Sequence, residues 1–359
     1  MSALGSVAAQ VESELEIVVE AEAEAAASGA SDTPSNPPSN TAADEPDDRK
    51  NASSRSAPPP PLGVRFGEPL EDERFRVSYS FEQMQRKGML DGDNQVSPSE
   101  VLNNSFNPYD RTPRRLEVTA HTVQVAYAPH PRATLVVEVP FLMKKLRTRD
   151  DQGRVTQEQT QGVGDIGFAL VVPFIRKGNE RSQVHLGFDI PTGSIRRGGD
   201  ETRLPFDSQI GNGSVDLEWG WTYRGEQDWI SWGAQATGRH PLKRNDLRYR
   251  VGSRFEISGW GAARLPMGMS TSFRVGLLKQ NNTRVPSGEF VGGTINDPSD
   301  DPKARGGYQF TVSPGLTIDL PKSANQRFAV EFDIPVYQNL HGPQLKEKWS
   351  VKAGWQCAF

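Results

Sequence analysis

Val215-Asp-Leu-Glu-Trp-Gly-Trp-Thr-Tyr223 alternates apolar and polar residues without a break. A period of two puts successive side chains on opposite faces of an extended strand, one face apolar and one polar. Tyr308-Gln-Phe-Thr-Val-Ser-Pro-Gly-Leu-Thr-Ile318 and Phe328-Ala-Val-Glu-Phe-Asp-Ile334 read the same way. Helical spacing is absent from all of these stretches.

Working outward, twelve such segments can be drawn: 75–84, 115–128, 132–146, 162–175, 182–192, 212–223, 228–238, 248–263, 268–278, 307–320, 327–338 and 347–359. Most have 10 to 16 residues. Ordinary globular strands centre on about five or six, whereas a tilted strand crossing a bilayer needs roughly nine to eleven. The gaps hold 30, 3, 15, 6, 19, 4, 9, 4, 28, 6 and 8 residues, so long and short connections alternate. A closed transmembrane barrel has tight turns at one end and longer loops at the other, and an even strand count returns both termini to the turn end. The expected fold is therefore all-β: a single antiparallel up-and-down transmembrane β-barrel of about 12 strands over 75–359. A soluble β-sandwich is the alternative.

Composition agrees by exclusion. One cysteine rules out an intrachain disulfide framework, and no Cys/His cluster has zinc-like spacing. The longest apolar runs, such as Leu135–Val139 and Ala169–Val172, fall far short of the roughly 18 residues of a membrane-spanning helix. A mean hydropathy of −0.60 suits a soluble protein, but also a barrel in which half of each strand faces water. Residues 1–48 hold 11 acids and no Lys or Arg, which leaves 41 − 34 = +7 on the remainder. Residues 1–74, with Pro58–Pro61 and few large apolar side chains, read as a disordered acidic and Pro-rich segment outside the fold. No leader with basic, apolar and small-residue regions is visible at the start.

The two faces assign the interior. Val184, Leu186, Phe188, Ile190, Trp219, Trp221, Phe255, Ile257, Phe273 and Leu277 form the lipid-facing set. Asp189, Asp216, Glu218, Arg250, Arg254, Arg274, Glu331 and Asp333 form the lumen-lining set. Aromatic residues near strand ends, among them Tyr79, Phe174, Trp229, Tyr249 and Tyr337, suit girdles at the two interfaces. The acids on strands five, six and eleven and the bases on eight and nine are expected to face each other across the lumen, as a transverse field or a salt-bridged plug. Leu135-Val-Val and Ala169-Leu-Val-Val are apolar on both faces, so a folded-in loop or the tail has to cover their inner side.

Catalytic and cofactor chemistry is not indicated. None of His121, His130, His185, His240 and His341 has a Ser two positions away on its strand face. Asp150, Asp151, His240 and Asp246 near the rim are generic in type and position. No P-loop or dinucleotide fingerprint occurs, basic residues gather on no single face for nucleic acid, and no metal or cofactor site is expected.

Two short motifs and the C-terminus carry a resemblance. Gly162-Val-Gly-Asp-Ile166 opens the fourth segment, and Pro191-Thr-Gly193 closes the fifth. With this spacing, the region from about 75 to 359 resembles the outer-membrane barrels named for the MetA pathway of phenol degradation and related transporter-like barrels. The motif residues Gly162, Gly164, Asp165, Pro191, Thr192 and Gly193 also have a structural reading, as a bulge, a turn cap and a ladder end. Lys352-Ala-Gly-Trp-Gln-Cys-Ala-Phe359 resembles the C-terminal signal of bacterial outer-membrane proteins, with Lys352, Gly354, Cys357 and Phe359 in its defining slots. The resemblance implies a bacterial outer-membrane location, lipid around the barrel and recognition of the last strand by the barrel-assembly machinery. It further implies a narrow passive channel or transporter for small, aromatic or hydrophobic solutes. The alternative is a non-transport surface barrel that binds a partner through the long loops 85–114, 193–211 and 279–306.

Overall fold

The computed structural model describes residues 57–70, 73–102, 109–198, 203–286, 295–320 and 325–359. Its strands are β1 (Phe75–Gly92), β2 (Asn94–Val96), β3 (Arg111–His130), β4 (Ala133–Asp150), β5 (Val155–Val163), β6 (Ile166–Lys177) and β7 (Glu180–Ile190). They continue as β8 (Asp216–Gln227), β9 (Ile230–Pro241), β10 (Arg254–Arg264), β11 (Met269–Gln280), β12 (Gly307–Leu320) and β13 (Gln326–Ala358). One short helix, α1 (Pro98–Leu102), follows β2. Every neighbouring pair is antiparallel, and β13 pairs with β1, which closes the sheet on itself.

Eleven strands make the closed ring, with β2 and β5 lying outside it. The 33-residue β13 crosses the wall twice. Gln326–Leu340 pairs with β12, whereas Leu340–Ala358 pairs with β1. Lys352 Nζ reaches Asp333 at 2.8 Å, and the Glu347 N–H donates to Gln338 Oε1 at 2.9 Å. In a straight strand the first two would be about 60 Å apart, so the chain folds back about Gly342, whose φ is 75°. The ring therefore has twelve crossings, matching the twelve segments read from the sequence.

The wall is apolar outside and polar inside. On β7, Leu186 is 54% exposed and Phe188 46%, whereas the flanking His185 and Asp189 are 3% and 5%. Trp219, Trp221, Phe255, Ile257, Phe273 and Leu277 also face outward. In water such a surface would drive aggregation; around a barrel it is the face that lipid covers. Tight turns join β3 to β4, β6 to β7, β8 to β9 and β10 to β11, all at one end, the turn end, where β12 also ends and β13 begins. The opposite, loop end carries the long connections.

Four expectations need correction. Residues 57–70 are not outside the fold: Leu70 is fully buried and Val64 nearly so, and the segment runs inside the ring; residues 1–56, 71 and 72 lie outside the described residues. Residues 248–253 are loop, not strand, because Arg248 takes a φ of 62° and the ladder resumes only at Arg254. Tyr249 consequently packs inside the loop end against Phe206, at 4.9 Å between ring centroids, and does not join a girdle. Arg250 leaves the predicted lumenal set for the same reason; its backbone bridges Arg284 in the loops.

Candidate functional site

The doubly apolar strands explain where residues 57–70 go. Ala126, Ala128, Val136, Ala169 and Val171 point into the ring near its turn end and would face water if nothing covered them. Leu70 and Phe66 pack on them and complete an apolar cluster. Thr134 Oγ1 accepts from the buried Leu70 N–H at 3.2 Å. The need for an inner cover was legible in the strands, and the chain's own N-terminal side supplies it.

From there the segment forms a re-entrant loop. It enters at the turn end, where Arg264 holds the Ala57 carbonyl at 3.2 Å and Ser231 Oγ holds that of Pro58 at 2.7 Å. The Val64 N–H donates to the Pro61 carbonyl at 3.0 Å, turning the chain. Gly63 passes so close to the wall that a Cβ would stand 2.4 Å from Glu331 Oε1 and 2.5 Å from Arg274 Nη2, so any larger residue would have to push this ion pair aside. Its N–H donates to Glu331 at 3.1 Å. The chain then returns, and the Arg74 N–H donates to the Phe359 carbonyl at 3.0 Å, again at the turn end.

Arg65 is the central anchor. Its guanidinium pairs with Glu138 on β4 and Glu218 on β8. Gln235 on β9 grips the Arg65 backbone from both sides, accepting from its N–H at 3.0 Å and donating to its carbonyl at 2.7 Å. Gln183 donates to the Phe66 carbonyl, and the Phe66 ring meets His185 edge-on at 4.9 Å. Glu68 pairs with Arg224 and Arg327, and Arg76 donates to the Glu68 carbonyl at 2.8 Å. The segment's peptide groups and charges thus supply partners to much of a buried polar wall, which low-dielectric surroundings favour.

Of the predicted lumen-lining residues, Asp189, Asp216, Glu218, Arg274, Glu331 and Asp333 are buried inside the ring. Arg254 lines the interior at the loop end of β10, its side chain 54% exposed beside Glu256. The expected field across the lumen does not form. Arg274 on β11 reaches over β12 along the wall, to Glu331 at 2.5 Å and Asp333 at 2.9 Å on β13. Only one strand, β12, separates them, and Gly315 opposite Glu331 leaves the crossing clear. Asp333 also takes Lys352, and Asp189 takes Arg239 at 3.1 Å. Opposite walls are linked through the segment instead, by Gly63 to β13 and Arg65 to β4 and β8.

Two cavities flank this segment, of about 1140 Å³ toward the turn end and about 880 Å³ on its other side. Gly67 and Glu68 line both. The larger is lined by balanced charges, including Arg76, Arg224, Arg264, Glu68 and Asp319. The other has charged walls and one apolar stripe from β1, β3 and β4, with Met84, Leu116, Val118 and Leu142.

The short motifs form a clasp beside this second cavity. Asp165 Oδ1 accepts from the Gly193 N–H at 2.9 Å and Oδ2 from the Asn212 N–H at 2.8 Å. Thr192 Oγ1 donates to the Gly164 carbonyl at 2.6 Å and accepts from the Ile166 N–H at 3.1 Å. Gly162 leaves room for the Arg197 guanidinium, and Gly193 packs on Gly211. Pro191, which has no N–H, follows the last residue of β7. Within the C-terminal run, Lys352 pairs inward with Asp333, and Gly354 leaves space for Leu62 of the segment. Cys357 pairs in register with Val77, and the Phe359 ring stacks on Phe75 at 5.9 Å.

At the loop end the described loop residues pack on one another. Ile195, Phe206, Leu247 and Tyr249 form one cluster. Arg203 pairs with Asp300 at 3.0 Å, Arg305 pairs with Asp207 at 2.8 Å, and Tyr109 donates to Asp301 at 2.7 Å. Burial pushes the Asp297 and Asp300 carboxyls up to about 6, although Arg203 opposes this at Asp300. Burial acts on Asp207 in the same sense, but the cations Arg305, Arg86 and Lys144 outweigh it and hold Asp207 below its usual range.

A closed barrel, greasy outside and ionic inside, is the architecture of a membrane-spanning β-barrel. Solved structures share this architecture. The COG4313 outer membrane channel from Pseudomonas putida F1 shares the fold at 12% identity and a TM-score of 0.56, covering 83% of this chain and 100% of that one. A Pseudomonas aeruginosa FadL homologue aligns at 9% identity and a TM-score of 0.42, covering 82% and 93%. The TodX monoaromatic hydrocarbon channel aligns at 8% identity and 0.44, covering 80% and 91%. No family model matches the sequence. No curated protein matches it either. What the likeness to the Pseudomonas putida channel shows is a shared fold, the closed outer-membrane β-barrel.

Proposed function

We propose that this chain is a passive channel of the bacterial outer membrane for small apolar or aromatic solutes, with residues 57–70 as its constriction. The observation that carries the reading is the lumen itself: two cavities on either side of a segment held by side-chain contacts, inside a wall whose outer face is apolar. The stripe of Met84, Leu116, Val118 and Leu142 gives the second cavity an apolar wall that a purely ionic pore would lack. On this reading the turn end faces the periplasm and the loop end the exterior, the usual disposition of bacterial barrels. The last strand, with Lys352, Gly354, Cys357 and Phe359, is then the part read during assembly.

The test is the conductance of the purified protein in planar bilayers, alone and with residues 57–70 deleted. Small conductance that rises on deletion supports the proposal; a sealed membrane in both cases, across several salts and voltages, overturns it. The surface-barrel alternative would need its long loops free for a partner. Several of their described apolar residues pack on one another instead.

A further inference from the structure

The second cavity has one feature that neither the constriction nor the clasp uses. On the wall made by β1, β3 and β4, the apolar stripe is bracketed by two cations. Arg86 lies opposite Leu116 in the register, Met84 opposite Val118, and Val118 opposite Lys144. All of these side chains line the cavity. Lys144 stands two strands and one inward row from Arg86, about 12 Å between backbones by strand spacing. Two long side chains can therefore converge over the stripe between them.

Their bonding leaves both cations with capacity to spare. Among the described residues neither makes an ion pair. Lys144 Nζ donates one bond, to the Gln209 carbonyl at 2.6 Å, out of three available. Arg86 faces Glu347 across the β1–β13 seam without a hydrogen bond among the described residues. A carboxylate of the chain shows the chemistry this corner accepts. Asp207, reaching in from the loop between β7 and β8, is bound by Arg305 at 2.8 Å and feels Arg86 and Lys144 as well. Asp165, the other acid near Lys144, is already engaged by two backbone N–H groups.

We infer that this corner is a binding site for small organic anions with an apolar body, such as an aromatic monocarboxylate. The carboxylate lies between Arg86 and Lys144, and the ring lies on Met84, Val118 and Leu142. A neutral aromatic gains only the stripe, and a small hydrophilic anion gains only the cations; the anion with a ring gains both. Asp207 competes for the same cations from inside the protein. The inference deepens the channel reading by giving it a solute class, but the site is measurable without transport.

The experiment is calorimetric titration of the full-length protein in detergent with sodium benzoate, benzyl alcohol and sodium acetate. Benzoate is expected to bind about ten-fold or more tightly than either of the others. Arg86→Gln and Lys144→Gln should each weaken benzoate by about ten-fold and leave benzyl alcohol unchanged. Asp207→Asn should tighten benzoate, a gain that a purely structural role does not produce. If Lys144→Gln does not fold, Arg86→Gln carries the comparison. Benzoate binding no tighter than benzyl alcohol, or insensitive to the substitutions that fold, overturns the site. A protein that binds benzoate but never conducts keeps the site and loses the channel; one that conducts without preferring benzoate does the reverse.

Discussion

Replacing Arg65 with alanine separates a held segment from a merely adjacent one. The guanidinium pairs with Glu138 and Glu218, whose side chains are 15% and 6% exposed. Removing it leaves two carboxylates facing a low-dielectric lumen with fewer partners. Glu218 keeps Arg239 at 3.6 Å, and Glu138 keeps the amide of Gln124. Breaking a fully buried pair costs about 3–5 kcal/mol. Arg65 itself is 31% exposed, so solvent screens part of the loss. About 3 kcal/mol is then the expected weakening of segment docking, a factor of roughly 150 in its equilibrium constant. In planar bilayers the Arg65→Ala protein should show larger or more frequent openings than the wild type, approaching the form lacking residues 57–70. Adding Glu138→Gln and Glu218→Gln should restore part of the closure, because no orphaned charge remains. If the deletion raises conductance and Arg65→Ala leaves it at the wild-type level, the ion pairs do not hold the segment and the reasoning fails.

Gly63→Val should displace the segment at its highest point, since the added Cβ falls on Glu331 and Arg274; protease cleavage within 57–70 should rise while the barrel stays intact. Leu70→Ala removes a fully buried side chain from the apolar cluster and should lower stability by about 2–4 kcal/mol, measured by denaturation in detergent. The loop-end cap should depend on pH through Asp297 and Asp300, pushed up to about 6 by burial. A raised carboxyl favours the packed state fully below its ordinary value near 4 and loses that contribution as pH rises through about 6. Amide exchange in residues 295–305 should therefore run about ten-fold or more faster above pH 7 than at pH 4, once corrected for intrinsic rates. Asp297→Asn with Asp300→Asn should flatten that dependence.

The wall was legible because its signal is repeated. Most strands show the same two-residue alternation, and the turn spacing checks one strand against the next. The two arms of β13 read as two segments for this reason, although they form one continuous 33-residue element. What escaped was whatever occurs once. Leu62-Gly-Val-Arg-Phe66 alternates as a strand does, but it follows four prolines and precedes no partner, so its composition reads as tail. The hint lay elsewhere, in the inward apolar faces of β4 and β6 and in Glu138, an acid set among the valines of β4. The Arg274–Glu331 pair was assigned to opposite walls because neighbours-but-one on a curved sheet look distant in sequence order. Arg250 and Tyr249 were misplaced because a short loop with one left-handed residue still alternates.

Ala57 and Arg74 are both anchored at the turn end of the ring. The segment is a loop pushed in from one side, and no chain end has to thread through the cylinder for it to enter or leave. Withdrawal therefore needs no opening of the seam between the first and last strands, where Phe75 and Phe359 are bonded through their backbones. The wall can stay zipped if the segment moves, and what moves is then only as much peptide as the two anchoring ends allow.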